Sequence, residues 1–205
     1  MNAVIIISGG IDSVTLLHKL VKGNNSIEAL SFDYGQRHVK EIEFAKYHCN
    51  LLGVNHQVVC LKNISHLISN SALTGNISVP DGHYKDESMK KTVVPNRNMI
   101  MLSIAIGYAE NIGFDYVAIA NHAGDHAIYP DCRTEFINAL SIASSIGTYN
   151  SIKIYAPFSN ISKKDIVYIG NSIGIDYTKT WSCYKGIEFQ CGTCGTCVER
   201  LEALS

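Results

Sequence analysis

A chain of 205 residues that is 46% hydrophobic has apolar material for one α/β domain and a small appendage. Its 17 Lys and Arg against 18 Asp and Glu leave no broad basic field for a polyanion, so a small-molecule substrate is expected and no direct nucleic-acid partner. The N-terminal apolar run is too short for a secretion signal and no stretch approaches membrane-spanning length, which predicts a cytoplasmic protein with no membrane partner. In that reducing compartment seven cysteines are poor disulfide candidates, and a cluster of them points to metal.

Residues 4–20 set the frame: a β-branched apolar run, a Ser8-Gly9-Gly10 turn, Asp12 and Ser13, then apolar residues at helical spacing. Gly9 and Gly10 carry no Cβ, so backbone N–H groups in the turn can approach a phosphate closely. The helix that follows adds unpaired N–H groups and the positive end of its dipole, and the Ser8 and Ser13 hydroxyls can donate as well. No Lys lies inside the turn, so the γ-phosphate grip of a Walker loop is missing and this is a phosphate loop of another kind.

A second strand over 26–33 ends in Asp33-Tyr34-Gly35-Gln36-Arg37-His38. Ligands of open α/β sheets sit at strand exits, which places Asp33, Arg37 and His38 beside the loop. A helix to about residue 52, closed by Gly53, and a third strand over 56–62 follow. Residues 63–94 show no long periodic element and read as a lid, with an exposed insertion of no role as the alternative. Pro95 then sets the entry of a helix to about residue 112, and Arg97 in its first turn is misplaced against the helix dipole unless an anion lies nearby. A fourth strand over 116–120 leaves through Asn121, His122 and His126, polar contacts in prospect, into Tyr129-Pro130-Asp131-Cys132-Arg133 and a helix to about residue 146. A fifth strand over 152–155 and a helix opened by the capping box Ser162-x-x-Asp165 complete the series. This alternation predicts an open parallel sheet with helices on both faces.

The organisation changes near Trp181, which divides the chain into a nucleotide-binding domain, 1–180, and a cysteine module, 181–205. Cys183, Cys191, Cys194 and Cys197 are separated by seven, two and two residues, a knuckle suited to one tetrahedral structural zinc ion, with an iron–sulfur cluster as the alternative. Cys49, Cys60 and Cys132 stand alone and read as packed thiols.

Ser8 to Ser13 resembles the Ser-Gly-Gly-x-Asp-Ser loop of the ATP-pyrophosphatase superfamily, whose sheet is adenine nucleotide α hydrolase-like. Taken in order, that loop, 33–38, 72–74, 94–98, 129–133 and the Ser182-Cys183-Tyr184 knuckle resemble the 7-cyano-7-deazaguanine synthase family. The resemblance implies an ATP-dependent ligase that acts on 7-carboxy-7-deazaguanine and ammonia through adenylated intermediates and an amide, with one structural zinc per chain, and commonly a homodimer. On that basis Ser8, Gly9, Gly10, Asp12, Ser13, Asp33, Arg37 and His38 would bind nucleotide, and Asp12, Arg97, Asp131 and Arg133 would be catalytic. Asp12 or Asp131 would place Mg²⁺ through water. The 121–128 segment departs from the acidic-Thr-Asp-aromatic-Ser-Gly pattern of many members, which leaves open an enzyme that stops at the amide. Further alternatives are a tRNA-thiolating enzyme and a non-catalytic nucleotide-binding or zinc-ribbon module.

Overall fold

The computed structural model describes residues 1–186 and 188–205. Five strands, β1 (Asn2–Ile6), β2 (Ser26–Asp33), β3 (Asn55–Cys60), β4 (Tyr116–Ala118) and β5 (Lys153–Tyr155), pair in parallel in the order β3-β2-β1-β4-β5. Consecutive strands are linked through α1 (Ile11–Lys22), α2 (Glu41–Leu52), α3 (Arg97–Asn111) and α4 (Thr134–Gly147); α5 (Lys163–Ser172) and α6 (Gly195–Leu204) follow β5. Crossovers run outward from β1 to either side, so the strand order reverses between β1 and β4. That switch point opens a crevice at the carboxyl ends of the strands.

Alternation along β1 builds a core on each face. Val4 joins Leu102, Ala105 and Ile137 from α3 and α4, whereas Ile5 joins Leu16, Leu17 and Ile166 from α1 and α5. The capping box at Ser162 is formed: its hydroxyl accepts from Asp165 N–H, and the Asp165 carboxylate accepts from Ser162 N–H. Strand ends fall short of expectation, β3 stopping at Cys60. β4 ends at Ala118, and Ile119 and Ala120 run on into the crevice wall. The last helix begins at Gly195 with Cys194 as its N-cap, so its first turn belongs to the cysteine knuckle.

Residues 63–94 lie packed over the crevice mouth, with Ala72, Leu73 and Met89 fully buried. Asp81 bridges to Cys194, and Gly82 N–H donates to Thr193 O at 3.2 Å, which fastens the segment to the knuckle. Trp181, Cys183, Cys194 and Cys197 sit in the same apolar cluster as the α3 residues.

At the α1–α5 contact Gly170 leaves room for Tyr177, whose hydroxyl bonds Thr15 Oγ1 at 2.8 Å. A Cβ on Gly170 would overlap that hydroxyl. Gly170→Ala is expected to cost about 1–3 kcal/mol by overpacking, read as a lower urea midpoint; an unchanged midpoint would contradict this packing.

Candidate active site

The turn after β1 places its glycines by contact as well as by conformation. Gly9 sits at φ +88°, where a Cβ would overlap the Glu41 carbonyl oxygen of α2. Ser13 Oγ ties the turn together, accepting from Ser8 N–H at 3.2 Å and lying 3.2 Å from Ser8 Oγ. Gly10 is the N-cap of α1 and offers no capping side chain, so the helix presents backbone N–H groups to the crevice. A cavity of about 200 Å³ opens in front of this loop, bounded by the exits of β1, β2 and β4, the start of α3 and the cysteine module.

One wall carries the charges. Lys163, in the first turn of α5, holds Nζ 2.7 Å from Glu199 Oε2 and 3.2 Å from Asp12 Oδ2, with its side chain 13% exposed. Burial opposes the charge, yet Asp12, Glu199 and Asp125 hold the Lys163 pKa above its ordinary value. His122 is buried behind them, and its Nδ1 accepts from Gly124 N–H at 2.9 Å, which puts the proton of the neutral ring on Nε2. That Nε2 lies 3.5–4.0 Å from Asp12, Asp125 and Glu199 and makes no hydrogen bond. Asp12 Oδ1 is likewise buried and unpartnered.

The opposite wall is aromatic. Arg97 Nη1 donates to Tyr34 OH at 3.3 Å, and among the described residues no carboxylate lies within 4.0 Å of its guanidinium. Tyr84, from the covering segment, reaches over to the charged wall, donating to Asp125 Oδ1 at 2.8 Å with Lys163 Nζ 5.6 Å from its ring centroid. Tyr129 meets Thr92 Oγ1 at 2.7 Å, and Tyr184 comes from the cysteine knuckle. Glu41 faces the same space; Gln36 Nε2 donates to its Oε1 at a long 3.4 Å, and His38 Nε2 lies 3.6 Å away. Burial pushes the Glu41 carboxyl up to about 8 against the pull of Arg97, and lowers His38 to about 3 with the help of the same charge.

Ser8, Gly10, Asp12, Ser13, His38 and Arg97 therefore line one cavity. Gly9 shapes the turn. Asp131 caps α3, its Oδ2 accepting from Asn98 N–H at 2.9 Å. Three residues lie apart: Asp33 pairs with Lys62 at 2.7 Å, exposed Arg37 donates to Gly75 O at 2.7 Å beside a separate shallow hollow, and exposed Arg133 donates to His126 O at 3.0 Å. Cys132 is packed against Asn98, and burial raises its thiol well above the ordinary value. Of the two strand-exit histidines, His122 joins the charged wall and His126 carries an unpartnered buried Nε2.

Sequence reasoning missed Lys163, Glu41 and Glu199. Lys163 carried a usable signal, because a cation in the first turn of a helix is misplaced unless an anion faces it, the same argument that marked Arg97.

The four knuckle cysteines bring one sulfur each to within 4.8 Å of one another. Cys191 and Cys197 sulfurs lie 3.9 Å apart, close to the spacing of about 3.8 Å that tetrahedral zinc with bonds of ~2.3 Å requires. Cys194 N–H donates to Cys191 Sγ at 3.3 Å, the kind of bond that steadies a thiolate. The donor set fits one metal ion.

A Gly-rich turn at the switch point of an open parallel sheet, with a buried lysine in the same cavity, defines an α/β protein with a candidate phosphate cradle. The fold agrees with two solved structures. NH3-dependent NAD synthetase from Campylobacter jejuni superposes with TM-score 0.53 at 17% identity over 87% of this chain and 66% of that one. A 4-thiouridine synthetase in complex with RNA and ATP gives 0.55 at 20% identity, over 98% of this chain and 49% of that longer one. The family described as "Queuosine biosynthesis protein QueC" matches residues 2–205, and the chain belongs to it. Relatives named 7-cyano-7-deazaguanine synthase include those of Alteromonas mediterranea, 52% identical, and Colwellia psychrerythraea (synthase 1), 50% identical, each over 98% of this chain and 93% of the relative.

Because the folded pKa of Glu41 exceeds the unfolded one, its contribution to stability is fully present below the unfolded carboxylate range and is lost as pH rises through about 8. Glu41→Gln has no such loss, so between about pH 5 and about pH 8 stability should shift in the variant's favour by on the order of a few kcal/mol. Urea midpoints of the two proteins across that range check this, and a pH-independent difference would contradict it.

Proposed function

We propose that the chain is the ATP-dependent carbon–nitrogen ligase that converts 7-carboxy-7-deazaguanine and ammonia to 7-cyano-7-deazaguanine. The observation that carries this reading is one cavity with the Ser8–Ser13 turn and Lys163 on one side and, on the other, an Arg97 that has no carboxylate partner among the described residues. An acid held by Arg97 would face the α-phosphate of ATP while Ser8 to Ser13 hold the β,γ-pyrophosphate. The substrate carboxylate attacks that phosphorus, pyrophosphate leaves, and ammonia displaces AMP from the acyl carbon to give the amide. A second activation of the amide oxygen and loss of AMP gives the nitrile.

The protein's part is positioning and charge. Lys163 offsets negative charge that develops on the transferred phosphorus, and its grip by Glu199 and Asp12 fixes it in advance. The 63–94 segment, with Tyr84, keeps water from a hydrolysable adenylate. His38 and Asp12 belong to the nucleotide side; Asp131 acts by holding the α3 start that carries Arg97. Asp33, Arg37 and Arg133 stand outside the cavity and are assigned to support of its rim.

The buried, unpartnered Oδ1 of Asp12 suits Mg²⁺ held through water beside the phosphates, where the ion supplies charge neutralisation. Zinc on Cys183, Cys191, Cys194 and Cys197 would contribute on the order of ~10–16 kcal/mol to the order of the 181–205 module. A homodimer in the cytoplasm is the matching assembly: Ile142, Ile146 and Tyr149 leave an exposed apolar stripe on and beyond α4. Among the described residues no helix is long and apolar enough to cross a membrane.

The test is mass spectrometry of the products from 7-carboxy-7-deazaguanine, ammonium and Mg-ATP, with Ser13→Ala as control. Nitrile is expected from the native chain and at least ~100-fold less from the variant. Amide that persists after exhaustive turnover would make the enzyme an amide synthase, and absence of both products would overturn the reading.

A further inference from the structure

The cavity holds two ionisable groups that the fold leaves without counter-groups. Arg97 has no carboxylate within 4.0 Å among the described residues. Among the described residues nothing donates to Glu41 Oε2, and its Oε1 receives one long bond from Gln36. The other two carboxylates that line the space are already engaged, Asp12 by Lys163, and Asp125 by Tyr84 and the His122 N–H. Burying a carboxylate with so little compensation costs stability, and native proteins keep such groups where a ligand supplies the missing donors.

Placement excludes two simpler explanations. Glu41 stands in the first turn of α2, where a helix N-terminus favours an acid, but its side chain is only 15% exposed and turned inward, with His38 beside it, away from the water that would normally solvate a surface acid. Nor is it the partner of Arg97, since no such ion pair is formed.

A ligand complementary to both groups must carry a carboxylate for Arg97 and a pair of adjacent N–H donors for Glu41. A carboxylate binds two parallel donors in bidentate fashion, and the ring N–H with its neighbouring exocyclic amino group on a 2-aminopyrimidin-4-one edge presents that pair. An adenine ring does not, because its amino group is flanked by acceptors. We propose that Glu41 is the specificity-determining residue for the acid substrate: its carboxylate accepts from the N1–H and the 2-amino group of the 7-deazaguanine ring, while Arg97 takes the carboxylate at the far edge. This rests on the ligase reading above and extends it to base recognition. Tyr184, whose ring lies 5.2 Å from that of His38, supplies an aromatic wall beside Glu41 against which a flat heterocycle stacks.

The experiment compares 7-carboxy-7-deazaguanine with its 2-desamino analogue, following AMP release with the native chain, Glu41→Gln and Glu41→Asp. The native chain should prefer the 2-amino acid by about 30-fold or more in kcat/KM, as expected when a buried acceptor loses its donor. Glu41→Gln should narrow that preference to within about threefold, with the loss in KM for the acid and the KM for ATP unchanged, and Glu41→Asp should restore part of it. A native chain indifferent to the 2-amino group overturns the proposal whether or not the variants fold, and so does a Glu41→Gln enzyme that keeps the native preference. AMP release with neither acid would overturn the ligase reading itself, an outcome distinct from release without discrimination.

Discussion

The site depends on the absence of a side chain at Gly9. Only a bare α-carbon lets the phosphate loop lie against the backbone of α2, and the same residue's carbonyl accepts from Trp181 N–H at 2.9 Å. The loop is thereby clamped between α2 and the start of the cysteine module, and Trp181 in turn stacks on Phe44 of α2 at 5.7 Å. Because α2 carries Glu41 and the module carries Tyr184 and Glu199, one close approach sets the distance between the phosphate cradle and two of the cavity's walls.

Charge is sorted by wall. Lys163 is held by Glu199 and Asp12 behind the loop, with His122 and Asp125 beside them, whereas Arg97 is left without an acid within 4.0 Å among the described residues. A guanidinium with no carboxylate partner among the described residues, within a partly enclosed cavity, is what the proposed acid substrate requires. The cysteine module belongs to this arrangement: α6 starts directly after Cys194 of the four-cysteine cluster and delivers Glu199 to Lys163, while Arg200 anchors the module through Thr180 Oγ1 at 2.7 Å.

The parallel sheet, the helices and the turn after β1 were legible because each rests on a local signal: β-branched runs, apolar spacing, the Ser-Gly-Gly sequence and the Ser162 capping box. Arg97 was legible for the same kind of reason, as a cation at the wrong end of a helix. Glu41 and Glu199 were not, because an acid in a first turn or in the middle of a short helix reads as an ordinary solvated residue; only the packing of α2 on Gly9, and of α6 on α5, turns them inward. Arg37 and Asp33 show the converse. Their motif is adjacent to the loop, but β2 exits toward the 63–94 segment, and their side chains are taken up by Gly75 and Lys62. The departure at 121–128 also makes sense in three dimensions, where His122 and Asp125 meet Glu199 from a different part of the chain.

The central claim is that this cavity activates carboxyl and amide oxygens on the α-phosphorus of ATP. It is tested most directly by turnover of 7-carboxy-7-deazaguanine labelled with ¹⁸O in both carboxyl oxygens, with mass analysis of the nucleotide and phosphate products. The account predicts that both labelled oxygens leave on AMP, one in each of two AMP molecules per nitrile, with none in pyrophosphate. Label in inorganic phosphate, or released to water, would contradict it.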